Sequence, residues 1–297
     1  MTVGVERATR SADPSAHPEP DATPARFTRI APVGGWPGLN FSELWAARGL
    51  LRFLTWREVR VRYAQTVLGA SWAVVQPLLT MAVFTIVFGR FARIPSDGQP
   101  YWIFALAALV PWSYLSTTVT SASNSLITNT HLVTKVYFPR LVIPTAPVIA
   151  GLLDLAIALL ILLLAMVAFG MMPPPQRMWL VPLLVCMMML TATGVGSLFA
   201  ALNIQYRDVK HVMPFVVQIW MYASPVAYPL SLVPDRYRLA YALNPMVGVV
   251  EGFRTALLGS TTLRPTELVL SSASAVALFA VGTLYFRRTE RFFADVA

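Results

Sequence analysis

The stretch LLRFLTWREVRVRYAQTVLGASWAVVQPLLTMAVFTIVFG, residues 50–89, decides the fold. Its first part carries Arg52, Arg57, Glu58, Arg60 and Arg62, and from Ala64 to Gly89 there is no charge at all. A basic helix therefore runs straight into a segment apolar enough to cross a bilayer, for which roughly 20 consecutive apolar residues suffice. On a helical projection Leu50, Leu54 and Val61 share a face, flanked by Leu51 and Phe53, while Arg48, Arg52 and Arg62 point elsewhere. The pattern predicts a helix lying along a membrane surface; a solvated basic helix ahead of a span would look similar, and Arg57 interrupts the apolar stripe.

The rest of the chain extends this reading. Of 297 residues, 56% are hydrophobic and only 12% charged, against roughly a quarter charged in soluble domains. The fold class is an all-α integral membrane protein. The net charge of +9 fits cationic residues placed beside the cytoplasmic lipid face rather than a nucleic-acid surface. Cys186 is the single cysteine and His17, His131 and His211 show no ligand spacing, so neither an intrachain disulfide nor a metal site is expected.

Residues 1–40 hold six prolines and no apolar core, which predicts a disordered cytoplasmic tail rather than a signal peptide. Six spans are expected over about 69–89, 101–121, 141–169, 178–202, from about 212 onward, and 268–286. The fifth is interrupted by Pro225 and Pro229. The uncharged run Leu239–Val250 has 12 residues, too few to cross, and Glu251 and Arg254 follow at once; it predicts a re-entrant hairpin. With the N-terminus inside, 16 of the 23 basic residues fall on the inner side, so both termini are expected in the cytoplasm. The polar segments 122–140 and 203–211 then face the cytoplasm and the hairpin faces outward.

The chemistry these residues exclude is informative. Only two lysines exist, Lys135 and Lys210, and neither follows glycine, so no phosphate-cradling loop is present. No Gly-x-Ser-x-Gly elbow occurs, and no cluster of acids suggests glycosyl transfer. Energy must come from a partner or an ion gradient. Asp154, the one formal charge inside the predicted spans, is either hydrogen-bonded between packed helices or a proton carrier. Trp72, Gln76, Thr80, Phe84 and Phe88 recur at steps of four in span one, and Phe215, Gln218 and Tyr222 share a face in span five. Rings alternating with amides suit a sugar chain, whereas Trp102 and Trp179 fit interfacial belts. Ala192, Gly196 and Ala200 allow a close helix contact, either within the chain or between two copies.

The segments RYAQTVLGASWAVVQPLLTMAVFTIVFG (62–89), KVYFPRLVIP (135–144), YRDVKHVMPFVVQIWMYASPVAYP (206–229) and LNPMVGVVEGFRTALLG (243–259) resemble, in order, the permease subunit of polysaccharide-exporting ABC transporters of the type 2 exporter family. The FPR and YRDV segments bring the resemblance closest to the O-antigen branch, and it covers about 45–290. It implies an interfacial helix at 41–64, a permease domain at 65–290, and a re-entrant hairpin at about 229–259. It further implies a homodimer in the inner membrane, passing a lipid-linked polysaccharide between protomers. Two copies of a separate ATPase would bind ATP and Mg, this chain binding no cofactor and catalysing no reaction. Asn129, His131, Lys135, Tyr206, Arg207 and Asp208 become ATPase-coupling candidates, and Asn244, Pro245 and Glu251 outer-gate candidates. The alternatives are a type 2 exporter of teichoic acid, lipid or drug, and a proton-coupled transporter using Asp154.

Overall fold

The computed structural model describes residues 45–64, 72–135, 138–206, 208–259 and 263–290; the side chains of 72–74 and 133–135, and the predicted tail at 1–40, lie outside the described residues. The regular structure in it is helical. In chain order the helices are α1 (Arg48–Tyr63), α2 (Trp72–Phe84), α3 (Tyr101–Thr128), α4 (Thr130–Lys135), α5 (Val142–Ala168), α6 (Leu180–Gln205), α7 (Val209–Tyr222), α8 (Asp235–Tyr241), α9 (Pro245–Leu258) and α10 (Pro265–Thr289). A π-helical stretch, Thr85–Phe91, extends α2. Among the described residues, α3, α5, α6 and α10 are the helices long and apolar enough to cross a membrane.

Two of the polar segments expected as loops are largely helical. α3 runs through 122–128 because its hydroxyls and amides bond back into their own helix: Ser125 to Ala122 O at 2.6 Å, Asn124 to Thr120 O at 3.0 Å and Thr128 to Asn124 O at 3.1 Å. α6 and α7 likewise close on the second segment, leaving only 206–208 between them.

α3 is the central element. Within its apolar window 78% of residues are buried, against 28% for α5 and 22% for α10, and it packs on α2, α5, α6, α7 and α9. Hydrogen bonds sort the connections into two ends. At one, Arg57 donates to Asn129, Asn203 donates to Ser123 O at 3.1 Å, and the Arg140 amide donates to Glu290 at 3.2 Å. At the other, Tyr101 donates to Ala227 O at 2.6 Å, Arg177 to Gly259 O at 3.0 Å and Arg264 to Asp235 at 2.8 Å.

The small residues of α6 face inward. A Cβ on Gly282 of α10 would fall on the carbonyl of Gly194, one on Gly194 would meet the backbone of Leu278 and Phe279, and one on Gly196 would meet Ala122 of α3. Ala192 and Ala200 are fully buried. The seam is therefore intramolecular, letting backbones approach where no side chain fits. Gly282→Ala should destabilise the chain by about 1–3 kcal/mol through overpacking, read as a lower apparent Tm in detergent. Gly49→Ala in α1, where a Cβ meets nothing within 4 Å, should leave Tm unchanged or raise it.

Candidate functional site

The Asn129 end gathers most coupling candidates. Asn129 itself is buried (7% exposed): its Nδ2 donates to Ser125 O at 2.8 Å, and its Oδ1 accepts from Arg57. It closes α3 and ties α1 to the root of α4. Arg57, the residue that interrupts the apolar stripe of α1, thus has an inward task; it also pairs with Glu58 at 3.2 Å. His131 is exposed on α4, and Lys135 ends that helix. Tyr206 (61% exposed) and Asp208 lie open between α6 and α7, while Arg207 lies outside the described residues. Asn203 holds this segment beside α3 by donating to Asn124 Oδ1 at 3.0 Å. The two polar segments, 80 positions apart in sequence at Ser123 and Asn203, therefore emerge at one end.

The aromatic stripes divide. On α7, Phe215 and Tyr222 are 64% and 57% exposed, and Gln218 is exposed beside them. On α2, Gln76 is exposed and Thr80 caps back to its carbonyl at 2.9 Å. Phe84 turns into the core, with its ring edge-on to Phe88 at 5.0 Å, so in this conformation these two back the surface rather than line it. Trp72 begins α2.

Gln76 also borders a cavity of about 210 Å³ between α1, α2, α3 and α5, lined by Ser113, Thr117, Thr118, Arg62 and Asp154. Here Asp154 accepts from both Arg62 and Tyr63, at the C-terminal end of α1. α1 consequently runs from the Asn129 end along α5 to the middle of that helix. The carboxylate is held by a helix-to-helix clamp, which is the structural role of the two weighed for it.

At the Tyr101 end α8 and α9 follow one another across a short turn. Asp235, which opens α8, meets Arg264, and in the turn Ala242 O accepts from Ser271 in the second turn of α10 at 2.8 Å. Asn244 caps α9 by accepting from Met246 N at 3.0 Å, accepts from Trp220 Nε1 at 2.9 Å, and donates to Ala223 O at 2.9 Å. Pro245 takes the first helical position, where its missing N–H is harmless. Glu251 is fully buried and pairs with Arg254 at 2.8 Å. Arg254 also donates to Pro225 O at 2.7 Å and Val226 O at 3.0 Å, and stacks over Phe104 at 3.5 Å. Glu251 in turn accepts from Leu230 N at 3.2 Å.

Arg254, Trp220, Arg62 and Tyr63 partner the candidate residues without having been singled out as candidates by sequence. For Arg254 a signal existed: an acid and a base at i and i+3 in a segment too apolar to leave either unpaired. For Asp154 none did, its partners lying 92 and 91 residues away.

A bundle of apolar helices, with polar segments collected at one end and an inserted hairpin at the other, is the frame of a transport protein's membrane half. Residues 49–258 match the ABC-2 type transporter family, and the chain belongs to it. It is 32% identical over 254 residues to the O-antigen export system permease protein RfbA of Myxococcus xanthus, covering 84% of this chain and 96% of that one. It is 25% identical over 247 residues to the protein of the same name from Klebsiella pneumoniae, covering 83% and 94%. The polysialic acid transport protein KpsM of Escherichia coli is 24% identical over 240 residues, covering 79% and 91%.

Arg254→Ala should be strongly destabilising, by about 3–5 kcal/mol, because it leaves the buried Glu251 carboxylate without its counter-ion. The double change Arg254→Met with Glu251→Gln should recover part of that loss. Thermal melts of the wild type and the two purified variants check the order.

Proposed function

We propose that this chain is the permease subunit of an ABC transporter that exports a lipid-linked, O-antigen-like polysaccharide from the cytoplasm, driven by ATP hydrolysis on a separate partner subunit. The observation that carries the reading is the near end-to-end similarity to an O-antigen export permease, 96% of whose length is covered. The relatives from Klebsiella and Escherichia extend it, since all three bear names of polysaccharide export or transport.

On this reading 41–64 is the interfacial helix and 65–290 is the six-span permease domain. Six segments that run between the two ends support that count: α2 with its π extension, α3, α5, α6, α7 with the irregular stretch after it, and α10. The hairpin within 229–259 is re-entrant, supported by its rim contacts at Asp235 and Gly259 and its deep turn at Ser271. Both termini are cytoplasmic in the inner membrane, and two copies of the chain enclose the channel. Phe215, Gln218 and Tyr222, with Trp72, Gln76 and Thr80, supply its lining, and Phe84 and Phe88 its backing. Asn244, Pro245 and Glu251 form the fixed side of the outer gate. Two ATPase subunits, carrying ATP and Mg, dock on the polar end through Asn129, His131, Lys135, Tyr206, Arg207 and Asp208. Their approach shifts the protomers as rigid bodies, because packed cores switch rather than bend.

Deleting the chain should stop surface polysaccharide and accumulate the lipid-linked glycan inside. Tyr206→Ala with Asp208→Ala should cut recovery of the ATPase on the tagged permease about tenfold or more, with equal permease in the membrane. Unchanged ATPase recovery together with unchanged export would reject this docking site.

A further inference from the structure

α1 has two faces with different partners. The inner face packs on α5, its Ala47, Leu50, Leu51 and Leu54 joining one apolar cluster with buried residues of α3, α5, α6 and α10, and its Arg57 reaches Asn129. The outer face leaves Trp45, Phe53 and Trp56 70%, 64% and 61% exposed, with Arg48, Arg52 and Arg60 exposed among them. The guanidinium of Arg48 lies over the Trp45 ring at 5.4 Å, and that of Arg60 over Trp56 at 5.9 Å. Glu58 is the one acid of this helix and pairs with Arg57, so the outer face carries three cations and no anion.

Three large rings interleaved with arginines suit one environment. Indole and phenyl groups sit at the level where acyl chains meet headgroups, and arginine stems lie across the rings while their cations reach phosphates. We propose that the outer face of α1 binds the headgroups of anionic phospholipids. Arg48, Arg52 and Arg60 set the preference for charge, and Trp45, Phe53 and Trp56 set the depth. An interfacial position for this helix follows from the family; the selectivity for lipid charge and the six residues that confer it go beyond that. Because Arg57 of the same helix holds Asn129 at the root of α4, a headgroup layer gripping the outer face braces the coupling end from the lipid side.

The test uses the purified full-length chain reconstituted in mixed phosphatidylcholine and phosphatidylglycerol nanodiscs, with native mass spectrometry of the lipid that stays bound. No glycan or ATP is needed, so the result is independent of the cargo. The wild type should retain phosphatidylglycerol over phosphatidylcholine. Changing Arg48, Arg52 and Arg60 to Gln should lower that preference, by about fivefold for each arginine removed. Changing Trp45, Phe53 and Trp56 to Ala should reduce retention of both lipids. Equal retention of the two lipids by the wild type would overturn the proposal without any variant. So would an unchanged preference in the Gln variant accompanied by loss of the ATPase partner, which would mark the face as a protein-docking surface.

Discussion

A fully buried guanidinium holds together the part of this chain that is not helical. After Tyr222 the backbone leaves the helix while still surrounded by apolar side chains, where an unpaired carbonyl costs several kcal/mol. Arg254 answers this by donating to the carbonyls of Pro225, Val226 and Tyr228, and Glu251 answers the amide of Leu230. Each of the pair also neutralises the other, and Phe104 of the central helix covers the cation. Because Arg254 must stand inside to do this, α9 must be inside too. The depth of the hairpin and the early end of α7 are thus two consequences of one ion pair.

That dependence explains which features were legible beforehand. Long apolar runs announce spans by composition alone, and α3, α5, α6 and α10 lie close to where hydropathy puts them. The burial of Glu251 and Arg254 was legible for a related reason, since neither charge can face lipid beside an uncharged run of twelve residues. The extent of α3 was not, because Ser, Thr and Asn read as loop formers unless their hydroxyls and amides are known to bond back along a buried helix. Nor were the faces. Phe84 and Gln76 stand two helical turns apart in one stripe, yet one is buried against Phe88 and the other borders a cavity. Periodicity says which residues share a face, while the neighbour that covers it is a long-range fact.

Long-range pairing also decides the meaning of the isolated charges. By sequence Arg57 interrupts an amphipathic helix, and Asp154 is either hydrogen-bonded between packed helices or a proton carrier. Both are ends of clamps that fasten α1, to Asn129 at the end of α3 and to the middle of α5. The Asp154 carboxylate accepts from a guanidinium and a phenol at once, both on α1. The same pairing makes a good mechanical joint, because separating the two charges in apolar surroundings is far more costly than moving them together.

The joint bears on how work reaches the span. α6 and α10 touch backbone to backbone at Gly194 and Gly282, and Gly196 closes on the Ala122 side chain of α3, so the interior there leaves no room for internal sliding. A push delivered at the Asn129 end must then move α3, α5 and α1 as a body, with the two clamps carrying it from the root of α4 to mid-helix. The surfaces free to respond are those without an internal partner, the outward faces of α7 and α2 at Phe215, Tyr222, Leu79 and Val83. On the proposed reading, in which two copies enclose the channel, rearrangement falls on such a rim face. A path opening there admits a chain of sugars without unpacking the core that holds Arg254 in place.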